Sequence, residues 1–275
     1  MSTVGLTGAT GFVGRQILRR LVERGCHVRI IVRADSVAGI GPLAPGVEVV
    51  ETDDLFNEPR ERLSVLLEGI DILVHAAWYA EPGVYLTSAL NCDCLAGTLR
   101  LAEVLADIGG RRFVGVGTCF EYDLAQGSLS VATPLRPQTL YAACKASVFQ
   151  VLTHLLHARN VEFAWCRLFY LYGEGEDPRR LVPYIRKQLS AGEVAELTSG
   201  NQLRDFLDVR EAGAMVADAA LGHRIGPMNI CSGVPVTVRQ LAERIADEFG
   251  RRDLLRFGAR PDNLVDPPCV LGVPS

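Results

Sequence analysis

Short apolar runs alternate along the chain with longer segments whose apolar residues recur at helical spacing. The runs predict buried strands, and the longer segments predict helices that cover a sheet. A regular alternation of strands and helices is typical of α/β proteins with a doubly wound parallel sheet. The predicted strands are 4–6, 27–33, 47–55, 71–78, 111–123 with its following turn, 161–169 and a last strand from 228. The predicted helices are 15–25, 86–108, 140–160, 181–191, 209–221 and 236–250.

A glycine-rich turn joins the first predicted strand to the first predicted helix. Its sequence TGATGFVG places Gly8, Gly11 and Gly14 at intervals of three, whereas the common dinucleotide fingerprint has unequal intervals. Gly8 suits a tight turn, Gly11 lets the backbone approach a pyrophosphate, and Gly14 lets the helix pack closely on the strand. Strand, turn and helix together indicate nucleotide binding, with the helix N-terminus facing the anion.

Tyr141 and Lys145 are four residues apart, so they project from one face of the predicted helix. A free phenol has a pKa of about 10 and keeps its proton at neutral pH. A nearby ammonium favours the phenolate and lowers the pKa of the phenol toward the range of an acid/base catalyst. Such pairs also occur by chance on helices, so the interpretation depends on the neighbouring motifs.

Length and composition exclude several classes of protein. The chain of 275 residues, 48% hydrophobic, can bury a large core as one α/β domain or as one domain with a smaller appendage. A net charge of -4 gives no basic footprint, so we expect no nucleic-acid partner. No apolar run approaches the roughly 20 residues of a membrane span, and the chain enters a strand at once, so we expect neither membrane nor signal peptide. The eight cysteines stand without the paired spacing of a zinc site, and the histidines form no ligand pattern. We therefore expect reduced thiols, a cytoplasmic location and no metal.

Three segments in order carry a resemblance to a known family: TGATGFVG, then Thr118, then YAACK at residues 141–145. They resemble the short-chain dehydrogenase/reductases, and later segments narrow this to the extended branch, the NAD(P)-dependent nucleotide-sugar epimerase/dehydratase family. The similarity runs from Val4 to about Pro261. It implies a Rossmann fold with a smaller C-terminal substrate-binding lobe. We expect 1–169 plus 206–230 to be the dinucleotide-binding domain and 170–205 plus 231–275 to be the substrate-binding lobe.

The end of the second strand bears on the choice of cofactor. NAD-selective relatives carry an acidic residue there, whereas this chain has Arg33, which can pair with the 2′-phosphate of NADP. We expect NADP, with NAD as the alternative; a merely solvent-facing arginine is the other interpretation. By resemblance, Asp54 accepts a hydrogen bond from the adenine, unless it only caps a turn. The predicted cofactor-binding residues are Gly8, Gly11, Phe12, Val13, Gly14, Arg33, Ser36, Asp54, Leu55, Ala76, Ala77, Tyr141 and Lys145.

The resemblance also assigns the catalytic roles. Tyr141 is the proton donor or acceptor, Lys145 holds the nicotinamide ribose and lowers the pKa of Tyr141, and Thr118 hydrogen-bonds the substrate oxygen and the Tyr141 phenol. The family's 4,6-dehydratases carry an acid and a base directly after this threonine. Here Cys119 and Phe120 occupy those positions, so we do not expect dehydration.

Two arginines resemble the family's pyrophosphate ligands. Arg204 and Arg260 are predicted to bind the substrate pyrophosphate, as guanidinium groups do. For Arg204, an ion pair with Asp205 or Asp208 is the alternative interpretation. The chain also departs from the family at Cys94 and Tyr170, where an asparagine is usual, so contacts at these points are expected to differ.

These features predict an NADP(H)-dependent reductase of the 4-keto group of a nucleotide-linked (6-deoxy)hexose, with hydride from the nicotinamide and the proton from Tyr141. The alternative is an NAD(P)-dependent nucleotide-sugar 4-epimerase, in which Tyr141 takes and returns the proton. A non-catalytic NADP-sensing protein is less expected, because such proteins commonly lose the tyrosine or the lysine. By analogy of fold, we expect a homodimer through helices 86–108 and 140–160. The chain stops at Ser275, short of the family's usual terminal segment, so we expect a trimmed C-terminus.

Overall fold

A computed structural model describes residues 3–39, 42–263 and 266–275 of the chain. Within these residues the backbone forms strands and α-helices that alternate through most of the sequence. The strands are β1 Thr3–Thr7, β2 His27–Arg33, β3 Val47–Thr52, β4 Ile72–His75, β5 Arg112–Thr118, β6 Ser128–Leu129, β7 Glu162–Leu168, β8 Tyr170–Tyr172, β9 Ala195–Leu197, β10 Leu203–Asp208, β11 Gly226–Ile230, β12 Pro235–Thr237, β13 Leu255–Phe257 and β14 Cys269–Gly272. The helices are α1 Gly14–Glu23, α2 Arg60–Leu67, α3 Leu90–Asp107, α4 Leu140–Ala158, α5 Leu181–Ala191, α6 Val209–Leu221 and α7 Val238–Phe249.

The largest sheet has seven parallel strands in the order β11-β7-β5-β4-β1-β2-β3. The chain builds outward from β1 to β3, returns to place β4 on the other side of β1, and continues in the opposite direction. This reversal leaves a crevice at the carboxyl ends of β1 and β4, which is where such sheets bind ligands. The doubly wound parallel sheet predicted from the sequence is therefore confirmed.

Each face of the large sheet is covered by its own apolar core. On one face, α1 and α6 pack against the strands through side chains that include Ile17, Leu21 and Val216. On the other face, α2, α3 and α4 contribute a second set, including Leu63 and Leu152. Both cores consist of residues almost fully removed from water, and this burial is the main favourable term for the fold. The sheet thus gives a rigid base for the loops at its carboxyl edge.

A smaller set of elements comes mainly from the C-terminal part of the chain, with β6 from before β7. Strands β12, β10, β14 and β6 form a second sheet in that order, and β8 also pairs with β10. Helices α5 and α7 share a separate core with the β9 and β13 pair. The predicted domain bounds stay a prediction. Strand β10, which crosses the predicted bound at residue 206, lies in the second sheet, and β11 lies in the large one. Residues 1, 2, 40, 41, 264 and 265 of those ranges lie outside the described residues.

Two local features differ from the sequence-based expectation. Helix α3 begins at Leu90 and not at residue 86, because the preceding backbone forms turns in which Val84 and Tyr85 both donate to the Glu81 carbonyl. Helix α2 was not predicted, since its eight residues are too few for a clear period. Among the described residues, no helix combines the length and apolar character that a membrane span requires.

Gly97 offers a test of the packing of α3. A Cβ at this position would lie 2.5 Å from the Cα atom of Phe56 and 2.5 Å from its carbonyl oxygen. In an open helix, Gly→Ala stabilises by up to about 1 kcal/mol. Here the backbone contact reverses the sign, so we expect Gly97→Ala to lower the free energy of unfolding by roughly 1–3 kcal/mol, measured by urea denaturation. The exposed Thr153→Ala of α4 serves as the control and should change little. A raised urea midpoint for Gly97→Ala would contradict the packing.

Candidate active site

A continuous cleft runs along the carboxyl edge of the large sheet. It consists of two adjoining cavities of about 560 and 650 Å³, which share Gly8, Gly11, Ala76 and Trp78 on their walls. The first, here called the β2 cavity, passes the ends of β2 and β3. The second, the β5 cavity, passes the ends of β5 and β7. Together they have the extended form that a dinucleotide and a second ligand require.

The glycine-rich turn forms the floor between the two cavities. Gly8 has φ +73, and a Cβ there would lie 2.6 Å from the backbone nitrogen of Ala77. A Cβ on Gly14 would lie 1.9 Å from the Gly8 carbonyl oxygen, and the Gly11 N–H already donates to that oxygen at 3.0 Å. Gly8 and Gly14 therefore admit no side chain, so the backbone of the turn at these positions and the start of α1 face the cleft directly. This cradle fits the pyrophosphate of a dinucleotide.

Every predicted cofactor-binding residue lies on a wall of this cleft. The β2 cavity is lined by one group and the β5 cavity by another, and the glycines of the turn connect the two. The first group is Gly8, Gly11, Arg33, Ser36, Asp54, Leu55, Ala76 and Ala77. The second is Gly8, Gly11, Phe12, Val13, Gly14, Ala76, Tyr141 and Lys145.

The edge of the β2 cavity carries charges of both signs. The Arg33 guanidinium lies 3.4 Å from the Asp35 carboxylate, and both side chains are well exposed. The Ser36 hydroxyl donates to the same carboxylate at 2.8 Å. Sequence reasoning considered Arg33 and Ser36 but missed Asp35. Asp54 accepts hydrogen bonds from the Phe56 N–H at 3.1 Å and from the Asn57 amide at 2.7 Å, so it also closes its own turn.

The three predicted catalytic residues meet in the β5 cavity. Thr118 ends β5, Tyr141 lies in the first turn of α4, and Lys145 lies one turn later. The Thr118 side chain and the Tyr141 ring both line this cavity. The Thr139 hydroxyl caps α4 by accepting from the Ala142 N–H at 3.2 Å, which fixes where the helix begins. The local sequence thus sets the position of Tyr141 relative to the strand end.

Lys145 is almost completely buried, at 3% exposure. Its ammonium donates to the Val116 carbonyl at 2.7 Å and lies 3.8 Å from the centre of the Trp78 ring. Burial lowers the pKa of Lys145 to about 7, and the nearby Glu121 and Cys94 oppose this change. Trp78, which sequence reasoning did not assign to the site, therefore contacts the predicted catalytic lysine directly.

The pKa of Tyr141 moves in the direction opposite to the prediction. Burial raises it above the ordinary value of a phenol, and Tyr85 and Glu121 add to the rise, while the Thr118 hydrogen bond opposes it. The expected lowering by Lys145 is not seen in this structure, because desolvation of the phenolate outweighs any charge effect. Tyr141 is therefore held in its protonated form, which suits a proton donor.

The rest of the β5 cavity wall is largely aromatic. The Phe120 and Tyr170 rings meet edge to face at 6.2 Å, and the Tyr85 ring meets that of Tyr141 at 4.9 Å. Burial raises the pKa of the Cys119 thiol to about 12, so this group stays protonated. Directly after Thr118, the wall thus presents an apolar ring and a neutral thiol, and no carboxyl group is available there.

Glu176 also lines the β5 cavity, and sequence reasoning missed it. Its carboxyl group accepts a hydrogen bond from the Gly173 N–H at 3.3 Å. Burial raises the pKa of Glu176 to about 7, while the Gly173 N–H and Arg180 oppose the rise. The polar loop GEGEDPRR gave no signal that distinguished this acid from its neighbours.

The two predicted pyrophosphate ligands already have partners. Arg204 is buried and donates to Asp266 at 2.7 Å and to the Leu203 carbonyl at 2.9 Å. Its ion-pair partner is therefore Asp266, and neither Asp205 nor Asp208 takes that place. Arg260 donates to the Tyr184 hydroxyl at 3.0 Å and stacks on its ring at 4.7 Å. Neither arginine belongs to the walls of the two cavities, and their roles stay predictions.

Fold and site together define an NAD(P)-dependent enzyme of the short-chain dehydrogenase/reductase class. The chain belongs to the NAD dependent epimerase/dehydratase family, whose model matches residues 4–230. This confirms the resemblance to the extended, nucleotide-sugar branch. Across the described residues, no group of three or more His, Cys, Asp and Glu side chains is placed to hold a metal ion.

Comparison with known proteins identifies relatives along nearly the whole chain. A dTDP-6-deoxy-L-talose 4-dehydrogenase (NAD(+)) of Aggregatibacter actinomycetemcomitans is 24% identical over 271 residues, covering 97% of this chain and 98% of the relative. A dTDP-6-deoxy-L-talose 4-dehydrogenase (NAD(P)(+)) of Kitasatospora kifunensis is 28% identical over 263 residues, covering 90% and 79%. The structure of UDP-N-acetylglucosamine 4-epimerase from Methanobrevibacter ruminantium has a TM-score of 0.88 at 21% identity, covers 100% of this chain and 90% of that one, and shares the fold.

His75 gives the site a pH-dependent stability. Its ring nitrogens contact the hydroxyls of Thr7 at 2.8 Å and Thr98 at 2.9 Å, and the side chain is 2% exposed. Burial, helped by Lys145, lowers the pKa of His75 to about 3. The unfolded chain binds a proton below about pH 6.5, whereas the folded chain does not until about pH 3. Stability is therefore lost as the pH falls through this window.

We expect His75→Asn to make the free energy of unfolding less dependent on pH. Between pH 8 and pH 5 the wild-type free energy of unfolding should fall by about 2 kcal/mol more than that of the variant. Urea denaturation at each pH measures the difference. His223→Asn, at an exposed histidine, is the matched control and should keep the wild-type slope. Equal slopes for wild type and His75→Asn would show that the buried imidazole is not the cause.

Proposed function

We propose that this protein reduces the 4-keto group of a nucleotide-linked 6-deoxyhexose with NADP(H). The observation that carries the proposal is the convergence of Thr118, Tyr141 and Lys145 on one wall of the β5 cavity. The cleft walls described above would hold the cofactor, whose nicotinamide supplies a hydride to C4 of the sugar when bound. The reduction is complete when C4 has gained the hydride and its oxygen has gained a proton, which gives the 4-hydroxy sugar.

The side chains of the site divide the remaining work. The Tyr141 phenol, kept protonated by burial, gives its proton to the carbonyl oxygen. The Thr118 hydroxyl, which lines the same cavity as Tyr141, orients that oxygen. The Lys145 ammonium stabilises the negative charge that develops there, and it is placed to hold the ribose of the cofactor. Thr118 and Lys145 are almost fully removed from water, which strengthens their interactions.

The named relatives support reduction at C4. Two of them are dehydrogenases that act at C4 of dTDP-6-deoxy-L-talose, and the reverse of that reaction is the reduction of a 4-keto group. The apolar wall at Phe120 and Tyr170 suits a sugar whose C6 is a methyl group. We keep Arg204 and Arg260 as proposed pyrophosphate ligands; to bind, they must exchange Asp266 and Tyr184, respectively, for the substrate.

A 4-epimerase is the second candidate. The Asp35 carboxylate beside Arg33 favours it, because an acidic residue at this edge suits the free ribose hydroxyls of NAD. An epimerase in this family usually retains NAD, and Tyr141 could take and later return the proton. A non-catalytic NADP-sensing protein is less supported, since Thr118, Tyr141 and Lys145 are all present.

We also keep the proposal of a homodimer. Ile108, directly after α3, is 37% exposed, and Leu140 and Val151 of α4 are 37% and 44% exposed. Apolar side chains on neighbouring helices give a surface that a second copy can cover. The cytoplasmic location stays a prediction.

A direct assay separates the two candidates. With a dTDP-linked 4-keto-6-deoxyhexose, we expect stoichiometric oxidation of NADPH and formation of the 4-hydroxy sugar. Tyr141→Phe should lower kcat by about 10²–10⁴-fold and weaken NADPH binding far less, because the ring stays and only the proton donor is removed. Isomerisation of a dTDP- or UDP-hexose without consumption of NADPH would show that the protein is an epimerase and not a reductase. Undiminished turnover by Tyr141→Phe would exclude both.

The cofactor preference is tested at the edge of the β2 cavity. Arg33→Ala should raise KM for NADPH about tenfold, a loss of about 1.4 kcal/mol, and leave KM for NADH within about twofold. Asp35→Asn should shift the ratio toward NADPH, because the repulsion of a 2′-phosphate is removed. Arg19→Ala removes an equally exposed arginine that is paired on α1 and should change neither value. An unchanged NADPH to NADH ratio in Arg33→Ala would refute the selection of NADP by this residue.

A further inference from the structure

The turn that follows β5 contains a carboxylate with no contact to water. Glu121 is 0% exposed, and its partner Arg167 on β7 is 1% exposed. The Arg167 Nε donates to Glu121 Oε2 at 2.7 Å. Taking two charges out of water costs several kcal/mol for each ion, and apolar residues of similar volume often give equal stability. Stability alone therefore does not account for this pair.

The Glu121 carboxylate accepts from three donors. The Thr118 N–H donates to it at 2.8 Å, the Trp165 indole N–H at 3.0 Å, and Arg167 makes the third bond. A Cβ on Gly117 would lie 2.4 Å from Glu121 Oε1, so the strand passes directly over the carboxylate. The backbone of Thr118 is therefore held by a buried charge and not by a neighbouring strand alone.

Lys145 contacts the same strand end. Its ammonium donates to the Val116 carbonyl, two residues before Thr118. It also lies 5.8 Å from the centre of the Trp165 ring, whose N–H is bonded to Glu121. The negative and the positive group thus share one indole ring and one short segment of β5.

We propose that Glu121 is a positioning residue for the reaction. Its carboxylate fixes the Thr118 backbone and supplies the negative charge that faces the Lys145 ammonium. This inference rests on the proposed function for the roles of Thr118 and Lys145, but the geometry on which it depends is independent of the substrate.

The groups that face Lys145 come from three elements. Glu121 follows β5, Cys94 lies on α3, and His75 ends β4. His75 is neutral because burial lowers its pKa to about 3, and burial raises the pKa of the Cys94 thiol, so it also stays uncharged near neutral pH. Glu121 is therefore the charge that opposes the fall in the pKa of Lys145.

The chain contains two lysines, Lys145 and Lys187, which makes a direct measurement practical. In protein labelled with ¹³C at the lysine side chains, the two signals can be followed through a pH titration by NMR. We expect Glu121→Gln to lower the pKa of Lys145 by roughly one unit and to leave that of the more exposed Lys187 unchanged. This readout needs no turnover, so it stands even where the proposed reduction fails.

Activity gives the second readout. If Lys145 must be charged, the alkaline limb of kcat/KM against pH should move to lower pH in Glu121→Gln, by the same amount as the NMR titration. The matched control is Glu162→Gln, which breaks the Arg112–Glu162 ion pair at the opposite ends of the same two strands. Glu162→Gln should change neither the pKa of Lys145 nor the pH of the alkaline limb of kcat/KM. An unmoved Lys145 titration in Glu121→Gln, or an equal shift in Glu162→Gln, would overturn the proposal.

A second variant covers the case in which Glu121→Gln does not fold. Glu121→Met combined with Arg167→Met replaces the buried pair by apolar side chains of similar length, which such sites often accept. The double variant removes one charge of each sign, so the Lys145 titration should again move to lower pH but by less than in Glu121→Gln, because Glu121 is the charged group that raises the pKa of Lys145. A folded double variant with the wild-type titration would also overturn the proposal. Loss of turnover with a shifted titration confirms the positioning role, whereas no turnover in wild type refutes only the proposed function.

Discussion

The buried ammonium of Lys145 is the interaction on which the arrangement of the site depends. It joins α4 to the end of β5 through the Val116 carbonyl and faces the Trp78 ring, so it connects three elements. Removing it from water lowers its pKa to about 7, which leaves the charged form only weakly favoured near neutral pH. The surrounding groups must therefore support the charge, and this requirement links the catalytic face to the interior.

The fold meets that requirement by placing rigid elements around the cleft. Helix α4 packs on the sheet through Val148 and Leu152, both fully buried, so Tyr141 and Lys145 cannot shift relative to β5 without opening the core. On the opposite wall, the backbone of the glycine-rich turn packs against Ala77 with no room for a side chain. Cofactor cradle and catalytic face are thus held at a fixed separation by close packing.

Local patterns predicted the sheet and the nucleotide turn, because each is encoded within a few consecutive residues. The roles of Thr118, Tyr141 and Lys145 were predicted from the resemblance to a family, and the structure brings the three into one cavity. The contacts that tune the site are distant in sequence. Arg204 pairs with Asp266, and Glu121 pairs with Arg167 across 46 positions, so no local spacing revealed either partner. The direction of the pKa of Tyr141 was also missed, since it depends on burial. A charged residue within an apolar strand, such as Arg167, was the available signal, because it requires a buried partner.

The Arg33–Asp35 and Glu121–Arg167 ion pairs differ in what a substitution would change. Arg33 and Asp35 lie in water, where an ion pair contributes about 0–1 kcal/mol, so either residue can be exchanged with little effect on the fold. Glu121 and Arg167 are buried, and loss of one partner leaves an unpaired charge that costs roughly 3–5 kcal/mol. The edge of the cleft therefore tolerates substitution, while the turn after β5 does not.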